Sequence, residues 1–172
     1  MVKKILIPLL TVMVFTGGVV YATSVIQKDF NRQAIDSNLV VIGKLAFSYE
    51  TTWRGYPCTV LAVDVERNIA GDKVGSRILL LQPGTRRVKV VGVKRIETDK
   101  SYLLMLEKLS EGYYRLVGFN QGAHSISIEK RTGRRVINVR HNGKKAPGMT
   151  LEAAIGRVTA VREFARTNGA KK

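Results

Sequence analysis

The sequence has few of the residues that usually carry catalysis or bind metals. Among 172 residues there are one cysteine, two histidines and one tryptophan. Cys58 alone cannot form an internal disulfide, and we interpret it as a small buried apolar residue rather than a reactive thiol. His124 and His141 lie 17 positions apart with no second ligand near either. We therefore expect both histidines at the surface or in turns, with no metal site and no cofactor.

Motifs for enzymatic chemistry are also missing. The sequence contains no nucleophile elbow, no phosphate-binding loop and no dinucleotide fingerprint. Asp64 and Glu66 would lie on one face of a strand, and such a pair in a cleft could support acid–base chemistry. Their alternation with Val63 and Val65 places them instead on the solvent side. We expect that the protein is not an enzyme.

Acidic residues are scarce relative to basic ones. The chain has 13 Asp and Glu against 29 Lys and Arg, a net charge of +16 and a pI near 10.3. Such a balance favours an anionic partner: a lipid surface, an acidic wall polymer or an acidic protein, with nucleic acid as a further alternative. The other interpretation is that the charge serves only solubility.

Basic residues are concentrated towards the C-terminus. Residues 126–172 carry twelve Lys and Arg against three Asp and Glu, a net charge of +9. This density predicts an anion-docking edge, although a solvated charge run has the same pattern. The candidate residues of this edge are Lys130, Arg131, Arg134, Arg135, Arg140, Lys144 and Lys145.

Residues 1–22 are predicted to be a signal peptide or a membrane anchor. Two lysines precede the apolar residues 5–15, and Val20 and Ala22 have small side chains at the positions that a signal peptidase inspects. An uncleaved anchor is the alternative, because the apolar span from residue 5 to residue 22 is 18 residues long, at the lower limit for crossing a bilayer. Either version exports the body of the protein, so we expect a location in the cell envelope outside the cytoplasm.

The stretch 59–81 organises the rest of the chain. Leu61, Val63 and Val65 alternate with Ala62, Asp64 and Glu66, which predicts a strand with one buried face. A glycine-containing loop then leads to a second apolar run over residues 78–81, so the pattern predicts a β-hairpin. The residues expected to share one core are Leu61, Val63, Val65, Ile78, Leu80, Leu104 and Leu106.

Further strands are predicted on both sides of this hairpin. They cover residues 39–47, with a bulge at Gly43, then residues 88–96, 101–106 and 113–117, and a second hairpin over residues 126–139. A short helix is predicted over residues 26–34. Thr150 is a suitable N-cap for an amphipathic helix that would stop at Asn168 and Gly169 and pack on the sheet.

These elements predict a mainly β protein: a small antiparallel OB-like β-barrel with an N-terminal signal or anchor segment and a C-terminal amphipathic helix. The predicted division is a signal or anchor segment over 1–22, a short helix and linker over 23–37, the barrel over 38–128, and a basic hairpin with the C-terminal helix over 129–172.

Several short motifs resemble a group of uncharacterised exported bacterial proteins. They are NLVVIGK at 38–44, VDVER at 63–67 followed by IAGD at 69–72, YLLML at 102–106, and YRLVG at 114–118 followed by a Gln-Gly pair. The resemblance covers about residues 38–128. It departs at Lys100-Ser101, where the group often has Gly-Glu. The resemblance implies an exported OB-like barrel, similar to that of netrin-like modules, and no known activity.

Aromatic residues cluster after the first predicted strand. Tyr49, Trp53, Arg54 and Tyr56 are expected in the loop between the first two strands. OB-type barrels bind oligonucleotides or oligosaccharides with this loop and with the loop between strands four and five, and exposed rings stack on bases or sugars. Alternatively, these rings plug the mouth of the barrel.

The sequence thus predicts an exported non-catalytic binding or scaffolding module of the cell envelope with an anionic partner. The alternative is binding of single-stranded nucleic acid or an oligosaccharide by an OB-like barrel.

Overall fold

Strands dominate the computed structural model, which describes residues 26–93, 95–141, 144–145 and 148–169. The predicted signal or anchor segment, residues 1–22, lies outside the described residues. The protein is mainly β with a C-terminal helix, as predicted. In the described ranges, no helix combines the length and the apolar character that crossing a bilayer requires.

Within the described residues the elements follow one another in the order helix, ten strands, helix. The bounds are α1 Phe30–Asp36, β1 Leu39–Trp53, β2 Tyr56–Gly71, β3 Arg77–Pro83, β4 Ser101–Lys108, β5 Tyr113–Leu116, β6 Ala123–Ile128, β7 Arg135–Ile137, β8 Arg140–His141, β9 Lys144–Lys145, β10 Met149–Thr150 and α2 Leu151–Gly169. Two short 3-10 turns, Ser110–Gly112 and Val117–Asn120, flank β5.

Five of these strands close into a ring. The order is β1-β2-β3-β5-β4, and β4 pairs again with β1. All neighbours are antiparallel except β3 and β5, which are parallel and meet only through Leu79 with Tyr113 and Leu80 with Tyr114. β6, β7 and β10 extend the sheet outward from β4.

The interior of the ring holds the principal core. Alternate residues of the five strands point inward because side chains on a strand alternate between its faces. The predicted core is confirmed: six of its seven residues are buried in one cluster, and Val65 packs against it half-buried. The other buried members of the cluster are Leu39, Val41, Leu45, Ile96, Tyr102, Tyr114 and Leu116.

A second core separates the sheet from the two helices. Leu103 and Met105 of β4 face α2 residues Leu151 and Val158, whereas Leu104 faces the ring interior. β4 is therefore buried on both faces, as its nearly continuous apolar run predicts. The C-terminal helix begins where predicted, and Ala153 N donates a 3.3 Å hydrogen bond to Thr150 Oγ1.

The first helix lies slightly later than predicted. It begins after Asp29, whose carboxylate accepts a hydrogen bond from Arg32 N at 2.8 Å, and it ends at Asp36. Arg162 of α2 donates to Ala34 O at 3.0 Å and to Ser37 Oγ at 2.8 Å. The first bond satisfies a carbonyl group left open at the C-terminus of α1, and both bonds tie the two helices together.

The predicted strand over residues 88–96 is wrong. Gly92 has φ +84°, and Val93 N bonds to Val90 O at 3.2 Å, so the chain turns within this stretch. Val91 is 95% exposed, whereas Ile96 is buried in the ring interior. An alternating pattern produces a strand only where another strand supplies hydrogen bonds, and this stretch has no such partner among the described residues.

The prediction for the position of His124 is also wrong. It was expected at the surface or in a turn, but it is buried at 3% exposure beside Phe30. Its Nε2 lies 2.9 Å from Gln33 Oε1. β6 brings it under α1, a contact between residues 91 positions apart that a single-sequence pattern does not encode.

Candidate ligand-binding site

The predicted aromatic loop is the end of a long hairpin. β1 continues to Trp53 and β2 starts at Tyr56, so only Arg54 and Gly55 form the turn. Their φ angles are +51° and +82°, as in the two-residue turns that suit the twist of paired strands. The prediction of a loop over this region is therefore wrong.

The hairpin places its aromatic residues on one face. Trp53 is directly opposite Tyr56, and Tyr49 is opposite Val60. Tyr56 is 72% exposed, and the Phe47 and Tyr49 rings are stacked with centroids 6.5 Å apart. These rings present flat apolar surface to solvent, which a stacking ligand requires.

Trp53 packs on a small cluster that is separate from the ring interior. The buried members are Cys58, Val60 and Leu81, and Leu109 packs against them from the connection after β4. Cys58 is buried at 5% exposure, which confirms its predicted structural role. The guanidinium of Arg54 lies 4.5 Å above the Trp53 ring, in cation–π distance.

The β1–β2 turn contacts the β4–β5 connection. Arg54 Nη2 donates to Ser110 Oγ at 3.3 Å, and Leu109 N donates to Tyr113 O at 2.8 Å. Two connections that are far apart in sequence therefore meet at one end of the hairpin. Sequence reasoning found Arg54 but missed Ser110 and Leu109, because neither has an aromatic or charged signal.

A cleft of about 620 Å³ lies beside this contact. Its volume is typical of a small-molecule pocket. Arg115 and Glu107, paired at 2.6 Å, also line it. We call it the hairpin cleft; its main apolar lining residues are Trp53, Tyr56, Cys58, Leu81, Leu109 and Phe119.

Two features of the hairpin cleft depart from ordinary packing. Phe119, which lines the cleft, has φ +68°, a left-handed backbone conformation that is strained for a residue other than glycine. The Trp53 Nε1–H is buried and bonds to no atom of the described residues. Strained backbone and unsatisfied buried donors are concentrated at functional sites, so both features favour this cleft as a binding site.

The predicted basic edge lies at a different turn. Lys130, Arg131 and Arg134 are exposed on the β6–β7 turn and form no ion pair with any residue that the structure describes. Arg135 Nη2 lies 3.7 Å from Glu66 Oε2. We call these four residues the basic turn.

The remaining residues of the predicted edge lie in the short β8–β9 pair. Arg140 is paired through its backbone with Lys145, and Lys144 is opposite His141. The β1–β2 turn contacts Ser110 through Arg54, whereas the basic turn contacts Glu66, further along β2. The two predicted groups therefore lie at different places along this strand.

The carboxylates of β2 lie on a wet face, as predicted. Asp64 and Glu66 are exposed. Asp64 Oδ1 accepts from Arg77 Nε at 2.7 Å, and Glu66 Oε1 accepts from Ser101 Oγ at 2.6 Å. Both carboxylates are thus held by surface partners. Such a pair suits surface structure better than proton transfer.

Comparison with known proteins gives no assignment. The sequence matches no protein-family model, and no curated protein is significantly similar to it. The function is therefore argued from the chemistry of the cleft, the basic turn and the ring.

Proposed function

We propose that the protein is an exported, non-catalytic binding or scaffolding module of the cell envelope that contacts an anionic polymer. The contact between Arg54 and Ser110 beside the hairpin cleft carries this proposal. It joins the β1–β2 turn to the β4–β5 connection, the two connections with which OB-type barrels hold ligands. The five-stranded ring supports the corresponding proposal that the fold is an OB-like barrel.

The surface chemistry supports an anionic partner. The hairpin offers exposed rings with a cation stacked on Trp53, and the basic turn offers three cations without a carboxylate partner among the described residues. Unpaired exposed cations attract anions over about one Debye length, roughly 8–10 Å at physiological salt. The polymer would contact the hairpin through its apolar groups and the basic turn through its charges.

Binding of a fluorescent anionic wall-polymer fragment, measured by anisotropy over a range of salt concentrations, tests the proposal. We expect affinity to fall steeply with salt because bound cations release counterions or are screened. The variant R131E/R134E should bind more weakly with unchanged melting, since exposed charges contribute little to stability. Arg135 is kept, because its reversal would also break its pair with Glu66. Salt-independent binding, or full binding by this variant, would overturn the anionic partner.

Single-stranded nucleic acid or an oligosaccharide is the second candidate ligand. The stacked Phe47 and Tyr49 rings and the exposed Tyr56 favour it. The variant Trp53→Ala separates ligands that stack on the hairpin from an anionic polymer bound by charge, because loss of a stacked base costs about 1–3 kcal/mol of binding free energy. A labelled oligothymidine that loses this affinity in the variant would favour nucleic acid, and a neutral glucan that loses it would favour oligosaccharide.

The proposed location has its own test. Mass spectrometry of the N-terminus of the native protein should find either a chain starting at Thr23 or a membrane-bound chain retaining Met1. A cytosolic pool that begins at Met1 would contradict export.

A further inference from the structure

The connection between β3 and β4 is long and irregular. It spans residues 84–100, 17 positions, and its described residues contain no helix or strand. Connections of more than about 12–15 residues without secondary structure are uncommon in a domain and are usually either functional or disordered. The contacts of this connection decide between these two possibilities.

The connection is fixed to the hairpin and to the ring interior. Thr59 Oγ1 donates to Gly84 O at 2.7 Å, and Arg86 N donates to Glu50 Oε1 at 2.7 Å. Further along, Ile96 is buried in the ring interior and Glu97 N donates to the hydroxyl of Tyr102 at 3.1 Å. A connection with anchors at its start and near its end is ordered, so function is the better explanation of its length.

This connection and the hairpin enclose a cavity of about 980 Å³, which we call the loop cavity. Arg86, Arg87, Lys89 and Arg95 line it and are exposed. None of these four side chains forms an ion pair or a hydrogen bond with a residue in the described ranges. Four cations on ten consecutive positions repel one another, and a bound anion would relieve that repulsion.

The same cavity also contains groups that recognise hydroxyls. Glu50, Ser48, Thr98 and Asp99 line it. Glu97, also in the lining, forms an ion pair with Lys100, whereas Glu50 is held only through Oε1 by the backbone N–H of Arg86 and keeps Oε2 for a ligand. Carboxylates accept hydrogen bonds from hydroxyl groups but repel a bare anion. A ligand with only phosphate groups would bind the cations of this cavity but would be repelled by its carboxylates.

We propose that the loop cavity binds a phosphorylated polyol or sugar. The arginines hold the phosphate, because a guanidinium matches phosphate oxygens with two parallel hydrogen bonds. Asp99 and Glu50 accept hydrogen bonds from the hydroxyls, and the threonine and serine hydroxyls complete this wall. The ligand is either a free compound or one repeating unit of a polyol-phosphate polymer. The charged residues of this site do not line the hairpin cleft, although the two are adjacent and share Leu61, the segment 82–84, Val88 and Val90.

Calorimetric titration with glycerol phosphate and with a glycerol-phosphate oligomer tests this site. The variant R86Q/R87Q/K89Q should bind the tighter of the two probes at least tenfold more weakly than the native chain. The matched control is K44Q/K73Q/R166Q, which removes the same charge from exposed positions outside the loop cavity, the hairpin cleft and the basic turn, and should bind normally. Both variants should melt like the native chain. Tighter binding of the oligomer per site identifies the polymer as the source, and equal binding identifies the free compound.

Two further measurements make the ligand class falsifiable. Inorganic phosphate should bind more weakly than glycerol phosphate, and Asp99→Asn should reduce that preference. Equal weakening in the two triple variants would show a general effect of charge and overturn the site. Inorganic phosphate binding as tightly as glycerol phosphate would overturn the polyol, and no binding of either glycerol probe would overturn the proposal. Trp53→Ala should leave the binding of monomeric glycerol phosphate unchanged, which separates the loop cavity from the function proposed for the hairpin cleft.

Discussion

His124 shows how a single buried side chain couples this fold to pH. Gln33 Nε2 donates to Lys28 O at 2.7 Å, so Gln33 Oε1 is left to accept the Nε2–H of His124. Burial lowers the pKa of His124 to about 4, partly opposed by a hydrogen bond to the backbone of Asn138. The imidazole is therefore neutral in the folded protein at neutral pH.

We expect stability to fall as the pH is lowered from about 6.5 to about 4. The unfolded chain, in which the pKa of His124 is near 6.5, binds a proton in this window that the folded chain does not. The shift corresponds to about 3 kcal/mol, fully present above pH 6.5 and lost below pH 4. Urea unfolding at several pH values in this range should show that the free energy of unfolding changes less with pH for His124→Gln than for the native chain. The same pH dependence in both would mean that the pKa of His124 is the same in the folded and unfolded chains.

At the scale of the element, Gly43 allows β1 to bend while it pairs with two strands. The register with β2 shifts between Ile42 and Gly43, as the predicted bulge requires. A Cβ at this position would lie 2.6 Å from Val63 Cγ1 and 2.8 Å from Asp64 O. β1 and β2 therefore approach each other too closely here for any side chain.

Gly43→Ala should destabilise the protein by about 1–3 kcal/mol, because the added methyl group displaces packed neighbours. Gly75→Ala is the matched control: a Cβ at Gly75 would have no atom within 4 Å. Chemical denaturation of both variants measures the difference. A native midpoint for Gly43→Ala would show that the strands separate without cost and would contradict this account of the bulge.

The elements that sequence predicts well are those with a local cause. Gly43, the N-cap at Thr150 and the apolar run of β4 each determine the structure of their own neighbourhood, and all three predictions are confirmed. Residues 88–96 have a strand pattern, but pairing depends on distant residues that pattern does not specify. The turn at Arg54 was missed for a related reason: it lacks the asparagine or aspartate that usually marks such turns.

The residues of the candidate site likewise include some that the sequence indicated and others that it did not. The aromatic residues of the hairpin were found from composition, and the structure keeps Trp53 and Tyr56 together because they are opposite one another. Ser110 and Phe119 reach the site only through closure of the ring, which no local signal shows. The cations of the loop cavity were visible in the sequence, but Lys89 and Arg95 lay in a stretch interpreted as a strand, and Arg86 and Arg87 lay outside every predicted element.

At the scale of the whole molecule, the ring depends on an interior without charge. Val63 is fully buried among residues contributed by all five strands. Val63→Asp would bury an unpaired carboxylate and cost several kcal/mol, a large part of the roughly 5–15 kcal/mol that stabilises a typical domain.

Thermal melting followed by circular dichroism should show that Val63→Asp is largely unfolded. Arg67→Asp, a new carboxylate at an exposed position of the same strand, should melt within a few degrees of the native chain. Native-like melting of Val63→Asp would mean that this face of β2 is not interior.

The hairpin cleft also has a practical consequence. The only tryptophan and the only cysteine of the chain, Trp53 and Cys58, both line it. Because Trp53 is the only indole, the tryptophan fluorescence of the native chain reports on this cleft. The rate of thiol labelling reports when Cys58 becomes accessible. Occupancy of the cleft can be followed by the fluorescence of the unmodified protein, and its opening by the rate at which the native thiol is labelled, with no residue replaced.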